Sequence, residues 1–158
     1  MVFKADIIGL TIITGTYNGQ VVVCEVTVIL HHKFFRVPLT VWDSGMQTVK
    51  DYEARSLMEF VNFENRLDYV KEAAHILDMA YIFQNDKLQQ ILIVFTRTPD
   101  LYEQVINFYE GRYIYEHTIN HRLIFVNRDK KLSIALKADR FQIPQPNAIE
   151  VIYSLYIP

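Results

Sequence analysis

Residues Ser56 to Phe83, SLMEFVNFENRLDYVKEAAHILDMAYIF, are the stretch around which we expect the rest of the chain to fold. Their apolar side chains recur at alternating steps of three and four, the spacing that places side chains on one face of an α-helix. Charged residues such as Asp68 fill much of the opposite face, so the pattern predicts one amphipathic helix, straight or kinked. Its predicted buried stripe is Phe60, Phe63, Leu67, Val70, Ala74, Leu77 and Tyr81.

Length and composition indicate one globular domain over residues 1–158. The chain is 51% hydrophobic, which excludes a disordered protein, and no uncharged apolar run is long enough to span a membrane. Cys24 is the only cysteine, so an internal disulfide is impossible and a reducing, cytoplasmic location is expected.

Charge is distributed unevenly along the chain, although the net charge is only −2. Asp43 to Glu110 contains twelve acidic and six basic residues, a net −6, whereas Arg112 to Arg140 contains seven basic and three acidic residues, a net +4. Such polarity can select binding partners.

Two segments near the N-terminus predict a β-hairpin. Val2 to Thr14 and Gln20 to Leu30 are rich in Val, Ile and Thr, and they flank Asn18 and Gly19. Asn-Gly supplies the two positive-φ positions of a type I′ turn, so the segments should pair antiparallel. Centring the turn there predicts the pairs Tyr17–Gln20, Thr14–Val23 and Thr11–Val26.

The middle of the chain predicts further strands and a short helix. Lys33 to Trp42 alternates like an edge strand containing Pro38, and Val49 to Val61 follows as a first helical stretch. Leu88 to Thr96 is apolar on both faces, as in a central strand. A second, shorter helix should begin at Thr98-Pro99-Asp100 and end at Gly111.

The C-terminal third predicts four more strands: Tyr113 to Thr118, Arg122 to Asn127, Leu132 to Lys137 and Ala148 to Ile157. The last is apolar on most of both faces, so it should lie inside a sheet or pair with another molecule. The complete order describes an α+β domain in which helices pack on a mostly antiparallel sheet.

Two clusters combine aromatic and basic side chains and favour a surface for single-stranded nucleic acid. On a strand, Tyr113, Tyr115 and His117 would share a face, where rings stack on unpaired bases while Arg and Lys contact phosphates. No basic tract or aromatic RNA-recognition signature accompanies them. The candidate binding residues are Lys33, Phe34, Arg36, Arg112, Tyr113, Tyr115, His117, His121 and Arg122.

Metal and catalytic motifs are incomplete. His117 and His121 would stand ~13 Å apart on a continuous strand, and no cysteine or carboxylate spacing completes a ligand set. Asp43-Ser44-Gly45 lacks the flanking glycines of a nucleophile elbow, and no phosphate-binding or dinucleotide fingerprint occurs. We therefore expect no metal site and no cofactor, although a catalytic site assembled from separate strands would leave no local motif.

By elimination, the leading hypothesis is a non-enzymatic intracellular protein-interaction module: an inhibitor, adaptor or assembly component. The apolar strands Ile91 to Phe95 and Ala148 to Ile157 supply more hydrophobic surface than one small core needs, and a protein partner or a homo-oligomer would cover it. Alternatively, one sheet between the helices and the hairpin buries all of it. A nucleic-acid-binding domain is the second hypothesis and an enzyme the third.

Overall fold

The structure is a computed structural model of the chain, and it describes residues 9–28, 34–58, 64–70, 72–137 and 148–157. These residues form a two-stranded sheet, a seven-stranded sheet and two helices. The strands are β1 (Gly9–Tyr17), β2 (Gln20–Val28), β3 (Arg66–Asp68), β4 (Ile76–Gln84), β5 (Lys87–Thr96), β6 (Ile114–Ile119), β7 (Arg122–Val126), β8 (Leu132–Lys137) and β9 (Ala148–Leu155), and the helices are α1 (Met46–Tyr52) and α2 (Pro99–Glu110).

The seven-stranded sheet has the order β3-β4-β5-β9-β8-β7-β6, and all its pairings are antiparallel. The predicted α+β class with a mostly antiparallel sheet is therefore confirmed. The last strand of the chain, β9, lies between β5 and β8, as its two apolar faces predicted. Neither helix in the described part of the chain is long and apolar enough to cross a bilayer.

The long helix predicted for residues 56–83 is wrong over the described part of that stretch. Two of its segments are the strands β3 and β4, which pair with each other. Val70 and Leu77, assigned to the buried stripe, are exposed, whereas Asp68, assigned to water, is buried. Phe60 and Phe63 of the predicted stripe lie outside the described residues.

The physical reason is the turn that follows β4. Asn85 and Asp86 have φ angles of +52° and +58°, which makes a two-residue turn of type I′ geometry that joins β4 directly to β5. In this hairpin Met79, Tyr81 and Phe83 alternate into the core. Pairing with β5 and burial of this row outweigh the helical spacing of the local sequence.

The segment before α1 is irregular, so the strand predicted for Lys33 to Trp42 is absent from residues 34–42. Side chains take the place of a strand partner: the Arg36 N–H donates to Glu72 Oε1 at 2.7 Å, and the Leu39 N–H donates to Tyr81 Oη at 2.9 Å. The helix predicted for Val49 to Val61 begins earlier, at Met46, and ends at Tyr52.

Several other local predictions are confirmed. The hairpin register contains the predicted pairs at Tyr17, Thr14 and Thr11. Helix α2 begins where predicted, since Thr98 Oγ1 accepts a hydrogen bond from the Leu101 N–H at 3.3 Å. The strands β5, β6, β7, β8 and β9 lie within a residue or two of their predicted bounds.

Candidate functional site

The β1–β2 hairpin, Gly9–Val28, presents apolar side chains to solvent on both of its faces; we call it the hairpin arm. Val21 and Val23 lie opposite Thr16 and Thr14, and Val22 lies on the other face because successive strand residues point to opposite sides. These three valines are 67%, 58% and 62% exposed. The arm belongs to a two-stranded sheet of its own and not to the seven-stranded sheet.

The sequence of the arm explains its regularity. Asn18 and Gly19 have φ angles of +49° and +77°, so the type I′ turn forms as predicted and nine residue pairs follow without a bulge. Glu25 is the only charged residue between Gly9 and Val28, and no proline interrupts either strand. The arm is a regular hairpin with almost no charge on either face.

The first predicted basic-aromatic cluster packs largely against the protein itself. Phe34 stacks on His75 with ring centroids 4.6 Å apart, and it also contacts Phe95 and Phe108. The Arg36 guanidinium donates to the Tyr52 carbonyl oxygen at 3.0 Å and lies 4.9 Å from the centroid of the same tyrosine ring. Lys33 lies outside the described residues.

The first two residues of the second cluster, Arg112 and Tyr113, also pack against core residues. The Arg112 guanidinium lies 3.7 Å from the centroid of the Phe108 ring and donates to the Phe108 carbonyl oxygen. Burial lowers the pKa of Arg112 and raises the pKa of Tyr113, whose ring stacks 6.0 Å from that of Tyr109. The two clusters therefore meet at Phe108, which contacts both Phe34 and Arg112.

A β-bulge corrects the prediction that Tyr113, Tyr115 and His117 share a face. Tyr115 pairs with Phe125, whereas His117 pairs with Ile124, so one extra residue, Glu116, interrupts the register of β6. Because neighbouring residues on β7 point to opposite sides of the sheet, Tyr115 and His117 do so as well. A row of rings along one face is therefore absent.

The remaining predicted residues lie around the turn between β6 and β7. His121 has a φ angle of +60° and follows Asn120 at +47°, so it is a turn residue with an exposed side chain. Arg122, on β7, forms an ion pair with Glu150, on β9: its Nη2 lies 3.6 Å from Glu150 Oε1. Within the described ranges, no three His, Cys, Asp or Glu side chains are grouped so that they could hold a metal ion.

A buried ionic network, which sequence reasoning missed, joins the segment before β3 to β4. Arg55 forms an ion pair with Glu53, and its Nε lies 2.8 Å from Glu72 Oε2. The side chains of Arg55 and Glu53 are only 4% and 0% exposed. Arg55 also donates to the Arg36 carbonyl oxygen, and the Tyr81 hydroxyl donates to Glu53.

Burial and the carboxylates of this network together shift the pKa values of the neighbouring Arg55 and Tyr69. Burial would lower the pKa of Arg55, but Glu53 and Glu72 outweigh it and raise that pKa. Burial, and then the charge of Glu53, raise the pKa of Tyr69 to about 12. The Tyr69 hydroxyl is buried without a hydrogen-bond partner among the described residues. The network has the geometry of a structural anchor, and its members are too dispersed in sequence to form a motif.

Comparison of the chain with protein-family models, with curated proteins and with solved structures found no match.

Proposed function

We propose that this protein is a non-enzymatic protein-interaction module, acting as an inhibitor, adaptor or assembly component, and that the hairpin arm is its contact surface. The observation that carries the proposal is the exposure of Val21, Val22 and Val23 on both faces of an almost uncharged hairpin. Exposed apolar surface of this kind is typical of binding sites in folded proteins.

The energetic argument starts from the hairpin itself. A two-stranded hairpin is at best marginally stable in water, and three or more strands or a packed face are needed for independent stability. Burying a valine contributes roughly 1.5–3 kcal/mol when burial is complete. A partner that covered the three valines and Tyr17, which is 75% exposed, would therefore stabilise the arm and bind at the same time.

The nucleic-acid hypothesis receives no geometric support from the described residues. Phe34 and Arg112 both pack on Phe108, and Tyr115 and His117 lie on opposite faces of the sheet. Stacking on bases requires rings that are free and share a face. The Glu53–Arg55 ion pair is enclosed, so it offers no open site to a substrate.

The experiment compares valine-to-aspartate variants at two positions of nearly equal exposure, 58% at Val22 and 60% at Val41. Val22→Asp places a charge on the arm, and Val41→Asp is the matched control because Val41 is 60% exposed in the segment before α1. Residues 9–28 contain no lysine, so we use photochemical cross-linking in cell extract with mass spectrometry, and we expect contacts with any protein to map to residues 9–28 and Val22→Asp alone to abolish them. Contacts that map elsewhere, or that survive Val22→Asp, would overturn the proposal.

A further inference from the structure

The edges of the seven-stranded sheet are protected against pairing with other chains. At one edge, β3 is only three residues long, and residues 56–58 lie along its outer side: the Met58 N–H donates to the Asp68 carbonyl oxygen and the Val70 N–H donates to the Ser56 carbonyl oxygen, both at 2.8 Å. At the other edge, the bulge at Glu116 interrupts β6. Short strands, covering segments and bulges are the devices by which sheets avoid edge-to-edge association.

Within the described residues, the hairpin arm has no short strand, covering segment or bulge. Both of its strands are nine residues long, their register is unbroken, and neither contains a proline or a lysine. A long, regular edge with a single charged residue, Glu25, is a template for another strand. The seven-stranded sheet of the same chain has protected edges, whereas the edge of the arm is exposed. We infer from this difference that the edge of the arm binds another strand.

The pattern of backbone groups selects the residues that would pair. In a two-residue type I′ hairpin, Tyr17 and Gln20 exchange both hydrogen bonds, and pairs then alternate along the ladder. The N–H and C=O groups of Val21, Val23, Glu25 and Thr27 therefore point away from β1. Among the described residues these outward groups have no backbone partner, and the Glu25 carbonyl oxygen has only a weak 3.9 Å contact from Cys24 Sγ.

Strand β2 is the better of the two edges. It contains five valines and no glycine, whereas β1 contains Gly9 and Gly15. Valine favours strands, and glycine within a strand weakens them.

We propose that β2 pairs antiparallel with β2 of a second copy about a twofold axis at Cys24, which deepens the proposed function by naming its partner. Cys24 is the middle residue of the nine in β2, so this register alone pairs all nine residues. The outward groups of Val23 meet those of Glu25 in the second copy, as a hydrogen-bonded pair requires.

The position of Glu25 and the number of strands in the paired arms are both compatible with this dimer. Glu25, the only charge of the arm, lies opposite Val23 of the other copy and not opposite Glu25. The two arms become one four-stranded sheet, which passes the three-strand threshold for independent stability. Edge pairing rests on backbone hydrogen bonds along one strand and not on a broad interface of roughly 1,200–2,000 Å², so we expect a reversible dimer that depends on protein concentration in roughly the micromolar range.

The exposed Cys24 makes the register measurable. It is the only cysteine, so any disulfide-linked dimer of the protein must join Cys24 to Cys24. In a non-hydrogen-bonded antiparallel pair the two Cα atoms lie about 4.5 Å apart, which is within the range of a disulfide. The control is Cys24→Ser with Thr14→Cys, an exposed β1 position that would lie about 16 Å from its counterpart, three strand spacings away and two residues along the strand.

Under mild oxidation at equal concentration, we expect the wild-type protein to form the disulfide dimer at least about tenfold faster than the Thr14→Cys control, because only the paired thiols are held together. Equal rates would overturn the pairing, and a faster Thr14→Cys dimer would assign it to β1 instead.

Light scattering of two proline variants provides a second, independent readout. Val23→Pro removes an outward N–H from β2, and Thr14→Pro removes the equivalent outward N–H from β1 at the residue directly opposite. We expect Val23→Pro to be monomeric and Thr14→Pro to keep the dimer, with circular dichroism unchanged in both. A wild-type protein that stays monomeric across the micromolar range would refute the dimer, whereas the proposed function is judged separately by Val22→Asp and Val41→Asp.

Discussion

The hydroxyl oxygens of Tyr109 and Tyr153 lie 2.7 Å apart in the core and join helix α2 to the middle strand β9. Both side chains are completely buried. Burial raises the pKa of both phenols well above the ordinary value, so both are protonated at neutral pH. The two hydroxyls are therefore neutral partners inside the protein.

Removing one of these hydroxyls should cost more than removing both. In Tyr109→Phe or Tyr153→Phe the remaining buried hydroxyl loses its partner, which costs about 1–3 kcal/mol of unfolding free energy. The double variant leaves no buried hydroxyl unpaired, so we expect it to be at least as stable as either single variant. Urea denaturation of the four proteins measures this, and strictly additive losses would contradict it.

The ionic network predicts a large effect of Arg55→Met. The substitution leaves Glu53 fully buried without its cation and Glu72 without its ion pair, and we expect a loss of about 3 kcal/mol because Glu72 is partly exposed. The exposed Arg128→Met is the control and should change the unfolding free energy by less than about 0.5 kcal/mol. Equal effects of the two substitutions would show that the network does not stabilise the fold.

Alkaline pH should destabilise the protein through its buried tyrosines. The pKa values of Tyr69, Tyr81, Tyr109, Tyr113 and Tyr153 are raised, mainly by burial, and that of Tyr69 lies at about 12. The unfolded chain begins to lose phenol protons near a pKa of about 10 while the folded chain keeps them, so the stability that these phenols contribute is fully present below that pH and is lost above it.

Denaturation at a series of pH values, combined with phenolate absorbance, tests this linkage. The buried phenols should ionise together with unfolding. Their ionisation while the circular dichroism stays native would contradict the linkage.

The turn of the hairpin arm predicts opposite effects of two glycine-to-alanine changes. Gly19 has a φ angle of +77°, so Gly19→Ala is strained by about 1–2 kcal/mol even though no atom blocks the new methyl group. Gly15 has equally open surroundings and an extended backbone, so Gly15→Ala should stabilise its strand slightly.

Amide hydrogen exchange of residues 14–23 measures both effects locally. Exchange should become faster in Gly19→Ala and slower in Gly15→Ala. An unchanged rate in Gly19→Ala would mean that the turn does not hold the arm together.

The candidate surface was only partly predictable from the sequence. The turn and register of the arm followed from Asn18-Gly19, because that dipeptide dictates its own backbone geometry. Its exposure did not follow, since alternating Val and Thr are equally suited to a buried sheet. The predicted binding residues were drawn from types that bind nucleic acid, but the bulge at Glu116 separates Tyr115 from His117, and nothing in the local sequence marks that bulge.

The sequence by itself determined the elements that local residues specify. These are the Asn18-Gly19 turn, the start of α2 at its Thr98 cap, and the strands β5 and β9, which are apolar on both faces. For residues 66–84 the Asn85-Asp86 turn folds β4 back onto β5, and tertiary burial of Tyr81 makes that pairing outweigh the helical spacing of the local sequence. Tertiary structure also decided which edges are covered. Strands β5 and β9 are far apart in the chain and still pair side by side, so the arrangement of the sheet depends on partners that no local pattern contains.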